Sequence, residues 1–374
     1  MKKIVHIIIG LNVGGAELML QRLITYSSKR DQFEHCVISL TDLGVIGPKL
    51  QEQGIKVYSI GITSLNSSLL ALFKLRKLLR DISPDVVQTW MYHADLLGGL
   101  TARSLGIENI IWNVRNTTIN GRGTVATSIT KLCAKLSYTI PKKIVYVSKS
   151  ALKSHQEFGY SNSKSLVIFN GFDIDKFKYN LRARQQYRQD FQILDSDVVI
   201  GSVGRFSKSK DHETFIKSII LATQSNPNIK GLLIGRDINL DSFQITEEQK
   251  KKFIVIGQRE DVANIYSCMD IFCLHSLSEG FPNVLGEAMS AGIPCVVTRA
   301  GDSEYILNQV EYTSNVRDVD SLSRSLVSLA NLSPEERRQI GLKNRERIKE
   351  NFEINVIVER YLSLYTLITQ KNRT

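Results

Sequence analysis

The chain has 374 residues, too many for one ordinary α/β core, and its 43% hydrophobic content excludes a largely disordered chain. Forty-eight basic residues against 37 acidic ones leave a formal charge of +11. Residues 1–180 carry 23 basic and 12 acidic side chains and residues 181–374 carry 25 of each, so the surplus lies in the first half.

Apolar Ile4–Ile9 reads as a buried first strand rather than a leader, because Gly10-Leu11-Asn12 follows it without a small-residue cleavage site. No apolar run approaches the ~20 residues that cross a bilayer. After the Gly14-Gly15 turn, Ala16, Met19, Leu20, Leu23 and Ile24 repeat at helical spacing. A second helix carries Ala71, Leu75, Leu78, Leu79 and Ile82, and Pro84 leads into strand Val86-Val87. Ile110–Val114, Ile144–Val147 and Leu166–Phe169 read as further strands. Between them, Val125, Ile129, Leu132 and Leu136 with Lys131 and Lys135 form a basic amphipathic stretch. It suits either a membrane surface or packing on the sheet. From Asn170-Gly171 to Gln189 the pattern turns polar, and a second α/β series follows. Its strands are Val198–Val203, Leu232–Ile234, Ile254–Ile256, Ile271–Leu274 and Cys295–Val297, and Ile216, Ile219 and Ile220 form the inner face of a helix. Alternation of strands and helices predicts parallel sheets. The expected domains are 1–175 and 190–352, with a last helix in 353–374 crossing back to the first.

Cys36, Cys133, Cys268, Cys273 and Cys295 are scattered without a CxxC pair, which argues against a zinc site or disulfide framework and suits a reducing cytosol. The basic first half, with nine cations and only Glu108 between Arg103 and Lys153, points to an anionic partner such as a membrane surface or a phosphorylated acceptor. No nucleic-acid recognition motif accompanies it.

Ser278-Glu279-Gly280-Phe281-Pro282-Asn283-Val284-Leu285-Gly286-Glu287 reads as a loop entering a helix after strand Ile271–Leu274. Pro282 has the fixed φ of a helix start, and N–H groups around Phe281–Val284 would face an anion at the positive end of the helix dipole. Glu279 and Glu287, at the mouth of the sheet, are natural acceptors for ribose and sugar hydroxyls. Arg205 and Lys210 follow strand Val198–Val203 at the sheet edge where a phosphate would sit.

These residues resemble the E-x₇-E motif of the retaining glycosyltransferase family 4, and the resemblance extends over nearly the whole chain. It implies the GT-B fold: two Rossmann-like doubly wound α/β domains facing a cleft. Gly14-Gly15-Ala16-Glu17 is similar to the family's Gly-Gly loop near the donor phosphates. Val203-Gly204-Arg205 through Lys210-Asp211 is similar to its G-R-…-K-G segment, with Asp211 in place of the usual Gly. Gly257-Gln258-Arg259-Glu260-Asp261 resembles the loop beside the nucleotide base, and Asn170-Gly171-Phe172-Asp173 the hinge-side pattern. His93, in Trp90-Met91-Tyr92-His93-Ala94-Asp95, stands where the family keeps a His near the transferred sugar.

The resemblance implies sugar transfer with retention from a nucleotide-sugar, preferentially a UDP-sugar, to a glycan or lipid-linked acceptor in bacterial surface polysaccharide synthesis. Arg205 and Lys210 would stabilise the leaving diphosphate, Glu287 would hold the ribose and Glu279 the sugar. The Asp173/Asp175, Asp195/Asp197 and Asp318/Asp320 pairs read as turn or cap residues, so no cofactor and no essential metal is expected. The expected location is cytoplasmic or peripheral on the inner membrane face. A nucleotide-sugar epimerase and a non-enzymatic partner of another transferase are the rival readings. A nicotinamide dehydrogenase ranks lower, since no GxGxxG follows the first strand.

Overall fold

The computed structural model describes residues 1–30, 32–62, 68–117, 119 and 124–370. The last four residues of the expected C-terminal element therefore lie outside the described residues. The chain divides into one unit of Met1–Gly171 with Ile354–Thr374 and another of Phe172–Glu353.

The first unit is built on seven strands: β1 (Lys2–Ile8), β2 (Phe33–Ser39), β3 (Lys56–Ser59), β4 (Val86–Trp90), β5 (Ile110–Val114), β6 (Lys143–Tyr146) and β7 (Ser165–Val167). All pair in parallel, in the order β3-β2-β1-β4-β5-β6-β7. Every residue of β4 and β5 is buried, because crossover helices cover both faces of such a sheet. Two strands escape the hydrophobic pattern. β2 carries Glu34, His35 and Ser39, and edge strand β3 buries only Val57. His35 is accommodated in a buried chain in which its Nδ1 lies 3.0 Å from His6 Nε2 and its Nε2 lies 2.7 Å from Ser27 Oγ. Trp90 Nε1 donates to His6 Nδ1 at 3.3 Å and closes the chain.

The helix Ile354–Thr369 packs on the helix Gly15–Ser27 of this first unit. Its buried Tyr361 hydroxyl accepts from Asn113 Nδ2 at 3.1 Å, and Tyr365 donates to Gln88 Oε1. Strands β5 and β4 are thus tied to a segment 248 and 277 residues further along the chain.

The second unit has six parallel strands: β8 (Val198–Val203), β9 (Ile229–Ile234), β10 (Phe253–Val255), β11 (Ile271–Leu274), β12 (Cys295–Thr298) and β13 (Thr313–Ser314). Their order is β10-β9-β8-β11-β12-β13. Ile200, Ile271 and Val296 from the sheet and Phe215, Ile219, Leu322 and Leu326 from covering helices form one core cluster. β13, two residues long, is too short to leave a periodic trace in the sequence. All five cysteines are buried free thiols, behaving as small apolar residues.

Both sheets reverse their winding once, between β1 and β4 and between β8 and β11. In open α/β sheets, such switch points leave a crevice at the carboxyl ends of the strands, and ligands bind there.

Candidate active site

Most of the sequence motifs fall at these two switch points, whereas the Gln258 loop follows edge strand β10. In the first unit Gly14 and Gly15 follow β1, and His93 follows β4 in the first turn of the helix Tyr92–Ser104. Met91, between strand and helix, has φ of 73°, a conformation that a side chain with a Cβ resists. The turn is held by Asp95, whose backbone N–H donates to Met91 O at 2.9 Å and whose Oδ1 accepts from Thr89 Oγ1 at 2.5 Å. Burial pushes the Asp95 carboxyl well above its ordinary value. Partial desolvation of His93 lowers its pKa, so the neutral ring is favoured. Gly14, the N-cap of the helix Gly15–Ser27, has the Glu17 carboxylate folded against it where a Cβ would stand. Desolvation raises the Glu17 pKa.

In the second unit a short loop follows β8 and turns into the helix His212–Ser225 through Asp211. Asp211 is the position where the family pattern has Gly, and its φ of 51° and ψ of 52° supply the reason. Asp is among the few side chains that tolerate the left-handed region. Its Oδ2 accepts from Thr214 Oγ1 at 2.6 Å. His275, just past β11, fastens this turn from below. Its Nδ1 lies 3.2 Å from Asp211 O and its Nε2 lies 2.6 Å from Ser202 Oγ. A carbonyl can only accept, so Nδ1 carries the proton and Nε2 accepts from the hydroxyl. Burial holds His275 neutral, with its pKa lowered to about 3.

The loop after β11 meets the loop after β8. Leu277 N donates to Ser209 O at 2.8 Å, and Lys210 Nζ forms an ion pair with Glu279 Oε1 at 2.6 Å. Ser276 Oγ donates to the same Oε1 at 2.6 Å. Cation and carboxylate, assigned separately to diphosphate and sugar from sequence, are therefore one hydrogen-bonded unit, part-buried at the switch point. Arg205 stands exposed on the same loop as Lys210.

Phe281 is 6% exposed; its ring stacks on Phe172 at 5.9 Å and packs on Phe352 at 5.6 Å. It thereby anchors the loop from beneath. Pro282 is the N-cap of the helix Asn283–Ser290 and brings no side-chain cap of its own to the first turn, which holds Asn283 and Val284. Gly280 O accepts from Asp302 N at 3.1 Å, and Gly301, at φ of 59°, lets that segment pass against Glu279 O. Glu287 sits in the second turn, where the buried Tyr266 hydroxyl shares its one proton between Glu287 Oε2 at 3.3 Å and Val284 O at 3.2 Å. Gln258 is exposed in the loop after β10. Next to it Arg259 grips Asp261 through Nε at 2.8 Å and Nη2 at 2.6 Å, and Tyr187 donates to the same carboxylate at 2.6 Å. These bonds, Arg259 foremost, lower the Asp261 pKa to about 2.

Of the residues singled out from sequence, Arg205, Lys210, Gln258, Glu279–Val284 and Glu287 all follow strand ends of the second unit. Gly14, Gly15 and His93 do so in the first. Sequence reasoning missed His275, Ser276 and Tyr266, which position the others. His275 and Ser276 directly follow an apolar strand, and that location was the one available signal. One aspartate of each Asp pair closes a turn or caps a helix: Asp173 Oδ1 accepts from Asp175 N and Lys176 N, Asp197 Oδ2 from Leu194 N, and Asp318 Oδ1 from Ser321 N.

Residues 13–176 match Glycosyltransferase Family 4, and residues 197–331 match Glycosyl transferases group 1. The chain belongs to the family 4 glycosyltransferases. This glycosyltransferase is 25% identical over 323 residues to the UDP-Gal:alpha-D-GlcNAc-diphosphoundecaprenol alpha-1,3-galactosyltransferase of Escherichia coli, covering 81% of this chain and 80% of the relative. It is 23% identical over 321 residues to the capsular polysaccharide biosynthesis glycosyltransferase CapM of Staphylococcus aureus, covering 83% of each. Among solved structures, Anabaena HepE in complex with UDP has a TM-score of 0.82 at 18% identity, covering 98% of this chain and 100% of that one. The fold of this glycosyltransferase is accordingly GT-B.

Proposed function

We propose that this glycosyltransferase moves a sugar, with retention, from a UDP-sugar to a hydroxyl of a lipid-linked or glycan acceptor in surface polysaccharide synthesis, without an essential metal. The observation that carries the reading is the Lys210–Glu279 pair, braced by Ser276 beside exposed Arg205 at the β8/β11 switch point. A departing nucleoside diphosphate gains negative charge as the sugar bond breaks. Arg205, Lys210 and the positive end of the helix Asn283–Ser290 would answer that charge, and groups fixed in place for a developing charge lower such a barrier most. Lys210 would shift toward the phosphate as the donor enters, releasing a Glu279 oxygen for a sugar hydroxyl. Glu287, steadied by Tyr266, would take the ribose. His93, neutral at physiological pH, would accept or donate one hydrogen bond at the transferred sugar.

The UDP donor and the lipid-linked acceptor are supported by the name of the Escherichia coli relative, and polysaccharide synthesis by that of CapM. Peripheral membrane binding is supported by the first unit. The helix Tyr92–Ser104 packs between the helices Ser68–Ile82 and Thr124–Leu136. Across the three, Leu70, Phe73, Leu100, Val125 and Leu132 are exposed apolar groups, interspersed with Lys74, Lys77, Arg103, Lys131 and Lys135. Apolar side chains ringed by cations suit an anionic lipid surface. No helix among the described residues is long and apolar enough to cross a membrane.

The deciding experiment is acceptor-free hydrolysis of UDP- and GDP-sugars, followed by nucleotide release. Slow release from a UDP-sugar, insensitive to chelator and lost in Arg205→Ala, is the expected result. Release that requires a divalent ion would remove the metal-free mechanism. Binding of UDP without turnover of any donor would favour a non-enzymatic role.

A further inference from the structure

A cavity of 830 Å³ opens in the second unit, lined by residues that precede β11 and β12 and by the helix Pro334–Phe352. It lies at the opposite edge of the sheet from the candidate active site. Met269 and Asp270 lead into β11 and Pro294 leads into β12, whereas Ser276 and Glu279 follow β11. The four residues of β11 alone separate the two edges by about 13 Å. Nothing in the proposed transfer reaction uses this cavity.

Its volume is that of a small-molecule site. Met269, Ile293 and Pro294 give it an apolar floor, and Tyr179 and Leu342, 51% and 44% exposed, stand at its opening. Its charges are unbalanced: Lys178, Arg184, Arg337, Arg338 and Arg345 face only Asp270 and Glu335. Asp270 is already taken by Arg184 at 2.7 Å and Arg188 at 3.2 Å, and it accepts from Val199 N at 2.8 Å. Glu335 is 3.6 Å from Arg338. Arg337 and Arg345 have no carboxylate partner among the described residues. Arg337 Nη1 donates to Ala330 O at 2.9 Å and Leu332 O at 2.6 Å, and Arg345 donates to Phe177 O, Ser290 O and Ile174 O. Both Arg337 bonds use Nη1, so Nε and Nη2 remain as donors.

Arg337 is buried and hydrogen-bonded to carbonyls, and the nearby charge of Asp270 is already shared by Arg184 and Arg188. Removing such a guanidinium from water is costly unless a further anion answers it. Phosphate oxygens match the planar donor fork of arginine. We propose that this cavity binds a small phosphorylated metabolite, the phosphate on Arg337 with Lys178 and Arg338 at the rim, and a ring or apolar body on Tyr179 and the floor.

The test is fluorescence titration of the full chain with 1-naphthyl phosphate, an aromatic phosphomonoester, with and without saturating UDP. Saturable single-site binding that UDP leaves unchanged is expected. The exposed pair Lys178→Glu/Arg338→Glu should weaken it at least tenfold, and Leu342→Glu should weaken it separately, both with an unaltered melting temperature. No saturable binding, displacement by UDP, or undiminished affinity in both variants would overturn the proposal. UDP affinity in the same variants reports on the donor site alone, so failure of the donor reading is seen separately.

Discussion

At the scale of single residues, Lys210 has two partners to serve, the Glu279 carboxylate in this structure and the donor diphosphate in the proposed reaction. Replacing it with Ala removes a phosphate cation and leaves Glu279, only 13% exposed, without its counter-charge. Both effects oppose binding of an anion. A charge-assisted contact is worth about 1.5–3 kcal/mol, so UDP affinity measured by calorimetry should fall about 10- to 100-fold. Unchanged affinity would end the phosphate role of Lys210. Glu279→Gln keeps an oxygen for Ser276 and relieves Lys210 of its partner, so transfer should drop while UDP affinity holds. Equal losses in both would mean that Glu279 acts on the nucleotide rather than the sugar. Asp211 carries a related lesson, because its left-handed backbone is one that Asp tolerates where the family pattern has Gly.

At the scale of elements, the helix Asn283–Ser290 sits as close as it does because Gly286 has no side chain. A Cβ there would collide with the ring of Phe172, which is fully buried and stacked on Phe281. Gly286→Ala gains helix propensity of about 1 kcal/mol but overpacks the core by about 1–3 kcal/mol. With the ring confined, overpacking should prevail, lowering the melting temperature of the second unit, and Phe172→Leu in the same chain should restore part of it. A single variant as stable as the parent would show that the ring has room to move. The helix Thr124–Leu136 teaches the converse. Val125 and Leu132, assigned from sequence to one apolar stripe, are 67% and 44% exposed, while Thr130, Cys133 and Ala134 face inward. If that stripe meets lipid, Val125→Asp/Leu132→Asp should abolish co-sedimentation with anionic vesicles and leave the melting temperature unchanged. Retained co-sedimentation would place the membrane contact elsewhere.

At the scale of the whole molecule, buried neutral histidines occur in both units. Burial lowers His35 to about 4 in the first, and His212 to about 4 and His275 to about 3 in the second. An unfolded histidine titrates near 6.5. Between that value and about 4 the unfolded chain binds protons that the folded chain refuses. Stability is therefore full above pH 6.5 and falls as the pH drops through this window, by up to about 1.4 kcal/mol per pH unit for each such histidine. Urea unfolding at pH 7.0 and 4.5, with a probe in each unit, should show both losing stability at the lower pH. Equal midpoints at the two values would contradict neutral burial.

Much of this was already legible along the chain. The alternation of apolar runs and helical spacing determined two parallel α/β units, and the spacing from Glu279 to Glu287 determined the motif, because both depend on neighbours a few residues apart. Strands β2, β3 and β13 were not legible: His35, Lys56 and Thr313 obscure any apolar run, and only pairing with adjacent strands makes these segments strands. Tertiary structure alone decided that Lys210 meets Glu279, that His275 supports Asp211, and that arginines of distant segments converge on one cavity. Those contacts span tens to more than a hundred residues, and no local periodicity encodes which side chains a folded sheet brings together.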